Sequence, residues 1–221
     1  MNVFVTGGTG YIGRPLIRAL LERGHKVRAL VRKGSETKLP HGTECVIGDA
    51  LKMDSYTNEI HSSDTFVHLI GVPHPSPAKA KQFQDVDLVS IKVATKATRD
   101  GGVRHFVYLS VAQPAPVVKA FIEVRRQGEE LVRATGIPAT FVRPWYVLGP
   151  GHRWPYLLLP GYWICERLPA TRGSARRLGL VTLSQIVNAI VWSVENPPNE
   201  IQIVDVAKMR DPKVASTGRS G

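Results

Sequence analysis

The chain has 221 residues, a formal net charge of +11 and a hydrophobic fraction of 43%. These values suit one globular domain and exclude a wholly disordered chain. Cys45 and Cys165 lie far apart without metal-ligand spacing, so we expect two reduced core thiols, no disulfide framework and no metal site. We find neither a leader pattern nor an apolar segment of membrane-spanning length, and therefore expect a cytoplasmic protein.

The positive charge predicts attraction to anions, such as a phosphorylated cofactor, acidic lipid or RNA. The basic residues are spread along the chain, which is also typical of a solvated basic surface. A nucleic-acid partner is the less favoured interpretation, because no recognition element for nucleic acid is present.

Strand and helix patterns alternate along the first 145 residues. We expect strands at 3–6, 26–31, 43–47, 65–70, 105–109 and 139–142, and helices after the first strand and at 55–61, 79–99 and 117–134. The 79–99 helix is predicted to bury one apolar face, formed by Phe83, Val86, Val89, Val93 and Ala97. Continuous apolar strands, each followed by a helix, predict an α/β fold with a Rossmann-type doubly wound parallel sheet.

The periodicity loosens beyond residue 150. We expect a dinucleotide-binding core over 1–150 and a small C-terminal substrate or lid lobe over 151–205, with a helix at 183–195 and a strand at 201–204. No apolar periodicity follows, so a disordered tail is predicted over 206–221. Six aromatic residues lie between positions 145 and 163 and suit a flat ligand, a partner surface or the lobe's own core: Trp145, Tyr146, Trp154, Tyr156, Tyr162 and Trp163.

A glycine-rich turn joins the first strand to the first helix. Gly7, Gly10 and Gly13 have the spacing that allows a tight turn, a close approach of a diphosphate to the backbone and close packing of helix on strand. A diphosphate at this helix N-terminus would face free N–H groups and the positive end of the helix dipole. The turn predicts dinucleotide contacts from Thr6, Gly7, Thr9, Gly10, Tyr11, Ile12 and Gly13.

The second strand ends in Arg32 and Lys33, where an NAD-specific site usually has an acidic residue. Cations at this position suit the 2′-phosphate of NADP(H), and arginine can bind it bidentately. We therefore favour NADP(H) over NAD(H), the alternative being two exposed surface cations.

Six short segments, in order, resemble the short-chain dehydrogenases/reductases. They are the glycine turn and residues 48–50, 68–71, 108–110, 143–144 and 148–150. Over residues 1–205 the chain looks like the atypical, NmrA-like branch, which is also similar to sugar-nucleotide epimerases. The resemblance implies a doubly wound NAD(P)-binding domain.

The resemblance also implies roles for individual positions. Asp49 would accept a hydrogen bond from the adenine, with Ala50 or Leu51 beside the base, and Ser110 would lie beside the nicotinamide. The adenine ribose would be lined by Leu69, Ile70 and Gly71. The nicotinamide and its ribose would be covered by Pro144, Trp145, Tyr146 and Val147.

The family's catalytic pair, a tyrosine followed four residues later by a lysine, matches Phe121 and Arg125 here. A phenyl ring has no proton to donate, so the family's alcohol–ketone chemistry is in doubt. Arg125 could still hold the ribose hydroxyls. The remaining candidates for catalytic residues are Ser110, which could polarise a carbonyl, and His74, a loop histidine that could donate a proton.

Two functions are consistent with this pattern. One is an NADP(H)-dependent reductase whose quinone-like, flavin-like or other planar small-molecule acceptor takes its proton from water. The alternative is an NADP(H)-binding sensor, regulator or assembly factor that acts through a protein partner without turnover. A homodimer packed through the 79–99 helix is compatible with either function.

Overall fold

A computed structural model of the protein describes residues 1–114, 118–148 and 178–215. The strands are β1 (Asn2–Thr6), β2 (Lys26–Val31), β3 (Glu44–Ile47), β4 (Thr65–His68), β5 (His105–Leu109), β6 (Ala139–Val142), β7 (Tyr146–Leu148), β8 (Leu180–Thr182) and β9 (Ile201–Val204). The α-helices are α1 (Gly13–Glu22), α2 (Ala80–Gln82), α3 (Val89–Asp100), α4 (Lys119–Arg133), α5 (Leu183–Glu195), α6 (Val206–Met209) and α7 (Pro212–Ala215).

The strands confirm the predicted doubly wound parallel sheet. Seven of them form one sheet in the order β3-β2-β1-β4-β5-β6-β9, and every pair is parallel. The chain order reverses at β1, which lies between β2 and β4. Strands β7 and β8 form a separate parallel pair. An open sheet of this kind binds its ligand beyond the carboxyl ends of the strands, where the order reverses.

Apolar residues on both faces of the sheet are buried against helices. Leu16, Ile17 and Leu20 of α1 pack on one face together with the apolar side of α5. Ile91 of α3 and Val124 of α4 pack on the other face, over a row of aromatic rings that includes Phe4 and Phe66. Burying both faces explains why the strands are continuously apolar.

The predicted 79–99 helix exists, but its buried face differs from the prediction. A π-helical segment, Phe83–Leu88, lies between α2 and α3. Because a π turn holds more residues than an α turn, it rotates the following face of the helix. Val86, Val89 and Val93 are therefore only half-buried. The buried positions, besides the expected Phe83 and Ala97, include Asp87, Leu88, Ser90, Ile91, Ala94 and Thr98.

Three further expectations need correction. The helix at 55–61 is instead two 3₁₀ turns, Met53–Ser55 and Thr57–Glu59. Cys45 is exposed rather than buried, because it lies on the edge strand β3; Cys165 is outside the described residues. The predicted disorder from residue 206 is wrong as far as residue 215, where α6 and α7 are ordered by burial of Val206, Met209 and Val214. In the described part of the chain, no helix is long and apolar enough to cross a bilayer.

Two histidines in the centre of the sheet are buried and bonded to hydroxyl groups. His68 Nδ1 lies 2.9 Å from Thr6 Oγ1, and His105 Nε2 lies 3.0 Å from Thr140 Oγ1. Burial lowers the pKa of His68 to about 3, with the charge of Arg125 acting in the same direction, and lowers the pKa of His105 to about 4. Both are therefore neutral in the folded protein at neutral pH.

These histidines predict a loss of stability in mild acid. Their pKa values are lowered on folding, so between pH 6.5 and 4 the unfolded chain binds more protons. Stability is thus fully present above about pH 6.5 and falls below it. The unfolding equilibrium constant should rise by up to about tenfold per pH unit for each histidine. Urea denaturation between pH 5 and 7.5 measures this slope.

His105→Gln should reduce the slope by about half, since one of two protons is removed. The control is His41→Asn, because His41 is exposed. An equal slope in wild type and His105→Gln would contradict the prediction.

Candidate functional site at the carboxyl edge of the sheet

The sheet brings most of the predicted site residues to one edge. Thr6 pairs with Leu30 and with His68, and the glycine turn, Arg32 and Leu69 begin beyond these three positions. Hydrogen bonds continue the ladder past the strand ends, from Gly48 N to Val31 O and from Ser110 N to Val142 O. The segments that follow β1 to β6 therefore lie together at the carboxyl edge of the sheet, and the space beyond this edge is called the cleft below.

The glycine turn forms a cradle with no room for side chains at two positions. A Cβ atom on Gly13 would lie 2.3 Å from the carbonyl oxygen of Gly7, so α1 can pack against the turn only without one. Gly7 has a φ of +80°, and a Cβ there would lie 3.1 Å from the carbonyl carbon of Leu69. Gly10 is exposed, and its N–H donates to Gly7 O at 3.0 Å. The turn thus leaves backbone, with no side chain, where a diphosphate would bind.

The residues beside these glycines have different surroundings. Tyr11 is 36% exposed, whereas Thr9 and Ile12 are half-buried. Thr6 is fully buried below the turn. Its hydroxyl bonds to His68 and its carbonyl accepts from Leu69 N. Thr6 therefore supports the turn from below, and its side chain is not available for the predicted cofactor contact.

The end of the cleft at β2 and β3 contains the residues predicted to bind the adenosine. Arg32 and Lys33 are exposed directly after β2. Asp49 Oδ1 accepts from Leu51 N at 3.0 Å, and Asp49 N donates to Ser55 Oγ at 2.9 Å, which fixes this turn beside the end of β2. Ala50 and Asp49 are half-buried, and Leu51 is 37% exposed.

The segment after β4 contacts Arg125 of α4. The guanidinium Nη2 donates to Ile70 O at 3.2 Å, and a Cβ atom on Gly71 would lie only 1.9 Å from it. Nη1 donates to Leu109 O at 3.0 Å. Arg125 therefore links the chain at the end of β4 to the end of β5. Leu69, which precedes Ile70 in the segment after β4, is half-buried.

The charge of Arg125 is neutralised by a buried partner. Nη2 lies 2.8 Å from Asp87 Oδ1, and the two side chains are 6% and 0% exposed. The second carboxylate oxygen of Asp87 accepts from Val72 N at 2.9 Å. Burial raises the pKa of the Asp87 carboxyl, against the opposing effects of Arg125 and of the Val72 N–H.

The predicted hold of Arg125 on ribose hydroxyls is therefore not what this side chain does in the structure. Four of its N–H groups point at Asp87, Ile70, Leu109 and, more distantly, the hydroxyl of Tyr108 at 3.5 Å. The buried Nε has no partner among the described residues. The guanidinium acts as a tether within the protein.

Phe121, which is matched to the family's tyrosine, lies one turn before Arg125 on α4. Its ring packs on Phe83 at a centroid distance of 5.2 Å and lies under the guanidinium of Arg125, also at 5.2 Å. Both neighbours fit an apolar ring, so the position has a packing role and no proton to exchange.

Ser110 is bonded to a residue that the sequence analysis missed. Its hydroxyl donates to Glu129 Oε1 at 2.6 Å, and the two residues are 5% and 3% exposed. The same oxygen accepts from Gln113 Nε2 at 2.9 Å and from Arg143 Nε at 2.8 Å. The hydrogen of Ser110 is thus already used inside the protein.

Pro144 and the residues after it adjoin Ser110 from β6. Ala112 N donates to Pro144 O at 2.9 Å, Trp145 packs on the core, and Tyr146 and Val147 belong to β7. His74 is exposed in left-handed backbone, with a φ of +52°, on the loop after β4. The aromatic residues Trp154, Tyr156, Tyr162 and Trp163 lie outside the described residues.

Helical periodicity offered a signal for the missed groups. Glu129 follows Arg125 by four residues and shares the buried side of α4 with Val124, Gly128 and Val132. A carboxylate on that side requires buried donors. Asp87 carried no such signal, because the π-helical segment turns it inward.

A family comparison agrees with this geometry. Residues 7–153 match the family model described as NAD(P)H-binding. The chain belongs to this NAD(P)H-binding family.

Relatives in the family have several kinds of function. The ceramide reductase of Caulobacter vibrioides is 30% identical over 67% of this chain and 47% of its own length. A 4-hydroxy-2-methyl-3-oxo-4-farnesyl-3,4-dihydroquinoline-1-oxide ketoreductase of Stigmatella aurantiaca is 24% identical over 99% of this chain and 59% of its own length. The photosystem II assembly factor Ycf39 of Synechocystis is 24% identical over 65% of this chain. The chain spans 47%, 59% and 44% of the lengths of these three relatives, respectively.

Solved structures agree on the fold. The enzyme WbmH of Bordetella bronchiseptica, in complex with NAD⁺, superposes with a TM-score of 0.69 at 19% identity, over 92% of this chain and 75% of that one. At this identity the likeness concerns the fold alone.

The cradle predicts different effects of two glycine substitutions. Gly13→Ala places a methyl group against Gly7 O and should destabilise the fold by roughly 2–4 kcal/mol. Gly10→Ala makes one tight contact, at 3.1 Å from Gly7 O, so it should cost much less stability than Gly13→Ala but weaken NADPH binding by roughly tenfold or more. Thermal unfolding and fluorescence titration measure the two effects. Equal NADPH affinity in Gly10→Ala and wild type would contradict the placement of the diphosphate.

The buried ion pair predicts a large effect on stability. Asp87→Asn leaves Arg125 buried without a counter-charge and should cost about 3–5 kcal/mol. The control is Asp85→Asn, which removes an exposed carboxylate paired with Lys81 and should change stability little. Urea denaturation at pH 7.5 compares the two, and similar midpoints would show that Asp87 does not hold Arg125.

Proposed function

We propose that the chain is an NADP(H)-binding reductase that transfers hydride to a planar, quinone-like or flavin-like acceptor without a proton donor from the protein. The cofactor supplies the hydride when bound. The chain's residues bind the diphosphate at the glycine turn and hold the adenosine beside β2 and β3, and the acceptor lies at the opposite end of the cleft, within reach of water.

The observation that carries this proposal is that Phe121 has no proton to give, while the described side chains of Arg125 and Ser110 donate to partners within the protein. Arg125 is bonded to Asp87 and to strand carbonyls, Ser110 donates to Glu129, and burial raises the pKa of Tyr108. A ketone needs a proton as hydride arrives, typically worth 10²–10⁴-fold in rate when a side chain supplies it. A quinone or flavin can instead draw the proton from water.

The preference for NADP(H) rests on the cations after β2. The side chain of Arg32 is exposed, and its guanidinium has no hydrogen-bond or ion-pair partner within the described ranges of the chain. Such a guanidinium at the adenosine end of the cleft suits a 2′-phosphate.

Arg32→Ala should therefore weaken NADPH binding by roughly tenfold, as expected for one lost charge-assisted contact, and leave NADH binding unchanged. Lys38→Ala is the matched control, because it removes an exposed cation from the 3₁₀ turn Glu36–Lys38, which follows Arg32 in the chain. Equal losses for both cofactors would mean that Arg32 does not bind the 2′-phosphate.

Turnover is tested by the absorbance of the reduced nicotinamide with quinones, flavins and aldehydes. Oxidation of NADPH by a quinone or flavin, but not by an aldehyde, supports the proposal. Tight NADPH binding without turnover, and without recovery in a Phe121→Tyr, Arg125→Lys double variant, contradicts it.

The second candidate function is a sensor or assembly factor without turnover. The tethered state of Arg125 favours it, because the position matched to the family's lysine is locked into the fold, and one relative is a named assembly factor. In this function cofactor occupancy changes affinity for a protein partner. A cytoplasmic location and homodimerisation remain part of the proposal.

A further inference from the structure

Ser110 lies at the carboxyl edge of the sheet with its hydrogen already donated. The bond to Glu129 Oε1 is 2.6 Å long and buried. A hydroxyl group has one hydrogen and two lone pairs. As long as Glu129 takes the hydrogen, Ser110 can offer only lone pairs to anything in the cleft.

The direction of this hydrogen bond follows from the other partners of Glu129. Oε1 accepts from Gln113 and from Arg143 Nε, and Oε2 accepts from Arg143 Nη2. Amide NH₂ and guanidinium groups have hydrogens to give and, on these nitrogens, no capacity to accept. Both oxygens of Glu129 are therefore acceptors, and Ser110 must be the donor.

The fork of Arg143 holds Glu129 in this orientation. The carboxylate is 3% exposed, and the fork of Arg143 binds it through two nitrogens. The guanidinium of Arg133 lies 3.6 Å away on the same helix. Bidentate arginine–carboxylate pairs are strong and fixed in geometry.

We propose that Glu129 is a positioning residue that fixes Ser110 as a hydrogen-bond acceptor, so that the cleft takes a ligand with a hydroxyl group at this point. The chemical class is a planar phenol or hydroquinone, the reduced form of the acceptor named above. Ser110 then does not polarise a carbonyl. The inference rests on the proposed function, because it assumes that the ligand binds beside Ser110.

Two unreactive probes of similar shape test the inference on the full chain loaded with NADP⁺. 2-Naphthol has an O–H group to donate, and 2-fluoronaphthalene has none. The measured quantity is the ratio of their dissociation constants, by titration calorimetry. The preference for 2-naphthol over 2-fluoronaphthalene, given by this ratio, should be roughly five- to tenfold greater in the wild type than in Ser110→Ala. This is the effect expected for one hydrogen bond.

Two further variants separate positioning from general structural effects. Ser110→Thr retains a hydroxyl and should retain the wild-type ratio. Ser193→Ala removes a buried serine whose hydroxyl donates to Ala189 O, away from the cleft, and should not change it. Glu129→Gln should move the ratio towards that of Ser110→Ala, whereas a merely structural role of Glu129 would weaken both probes alike.

The outcomes are distinguishable. Equal ratios in wild type and Ser110→Ala, or no binding of either probe to the NADP⁺-loaded chain, overturn this inference and leave cofactor binding intact. Failure of the wild type to bind NADP⁺ or NADPH contradicts the proposed function itself. If Glu129→Gln does not fold, the comparison of Ser110→Ala with Ser110→Thr decides.

Discussion

The buried pair of Asp87 and Arg125 links the two helices on one face of the sheet to the strand ends that form the cleft. Asp87 accepts from Val72 N and from Arg125, and Arg125 donates to the carbonyls of Ile70 and Leu109. Breaking such a pair leaves an uncompensated buried charge, whereas replacing both partners need not be costly. The position of the loop after β4 therefore depends on this contact.

A second chain of hydrogen bonds runs from this pair to the glycine turn. Ser90 Oγ donates to the carbonyl of Asp87, so it accepts from His68 Nε2, 3.3 Å away. His68 Nδ1 is then the acceptor for the hydroxyl of Thr6. Its lowered pKa keeps the ring neutral, so this tautomer and direction persist at neutral pH. The floor of the cleft is one polar network within an apolar core.

Local patterns were sufficient to predict the sheet and the cofactor cradle from sequence. Strand β1, the spacing of Gly7, Gly10 and Gly13, and helix α1 are neighbours in the chain, and steric exclusion at Gly13 acts within a few residues. The partners of Ser110 and Arg125 could not be predicted from local patterns, because they are distant in the sequence. Glu129 is 19 residues from Ser110, and Asp87 is 38 residues from Arg125. The π-helical segment also departs from the 3.6-residue period of an α-helix, so that period could not predict that Asp87 is buried.

The two buried carboxylates explain why the cleft differs between its ends. At the end predicted to bind the adenosine, Arg32 and Lys33 are exposed, as the proposed 2′-phosphate contact requires. At the other end, Arg125 faces Asp87, and Arg143 faces Glu129. Cations neutralised in this way give little stabilisation to an oxyanion developing on a substrate. Such an environment suits the proposed acceptor, whose rings would delocalise the incoming charge.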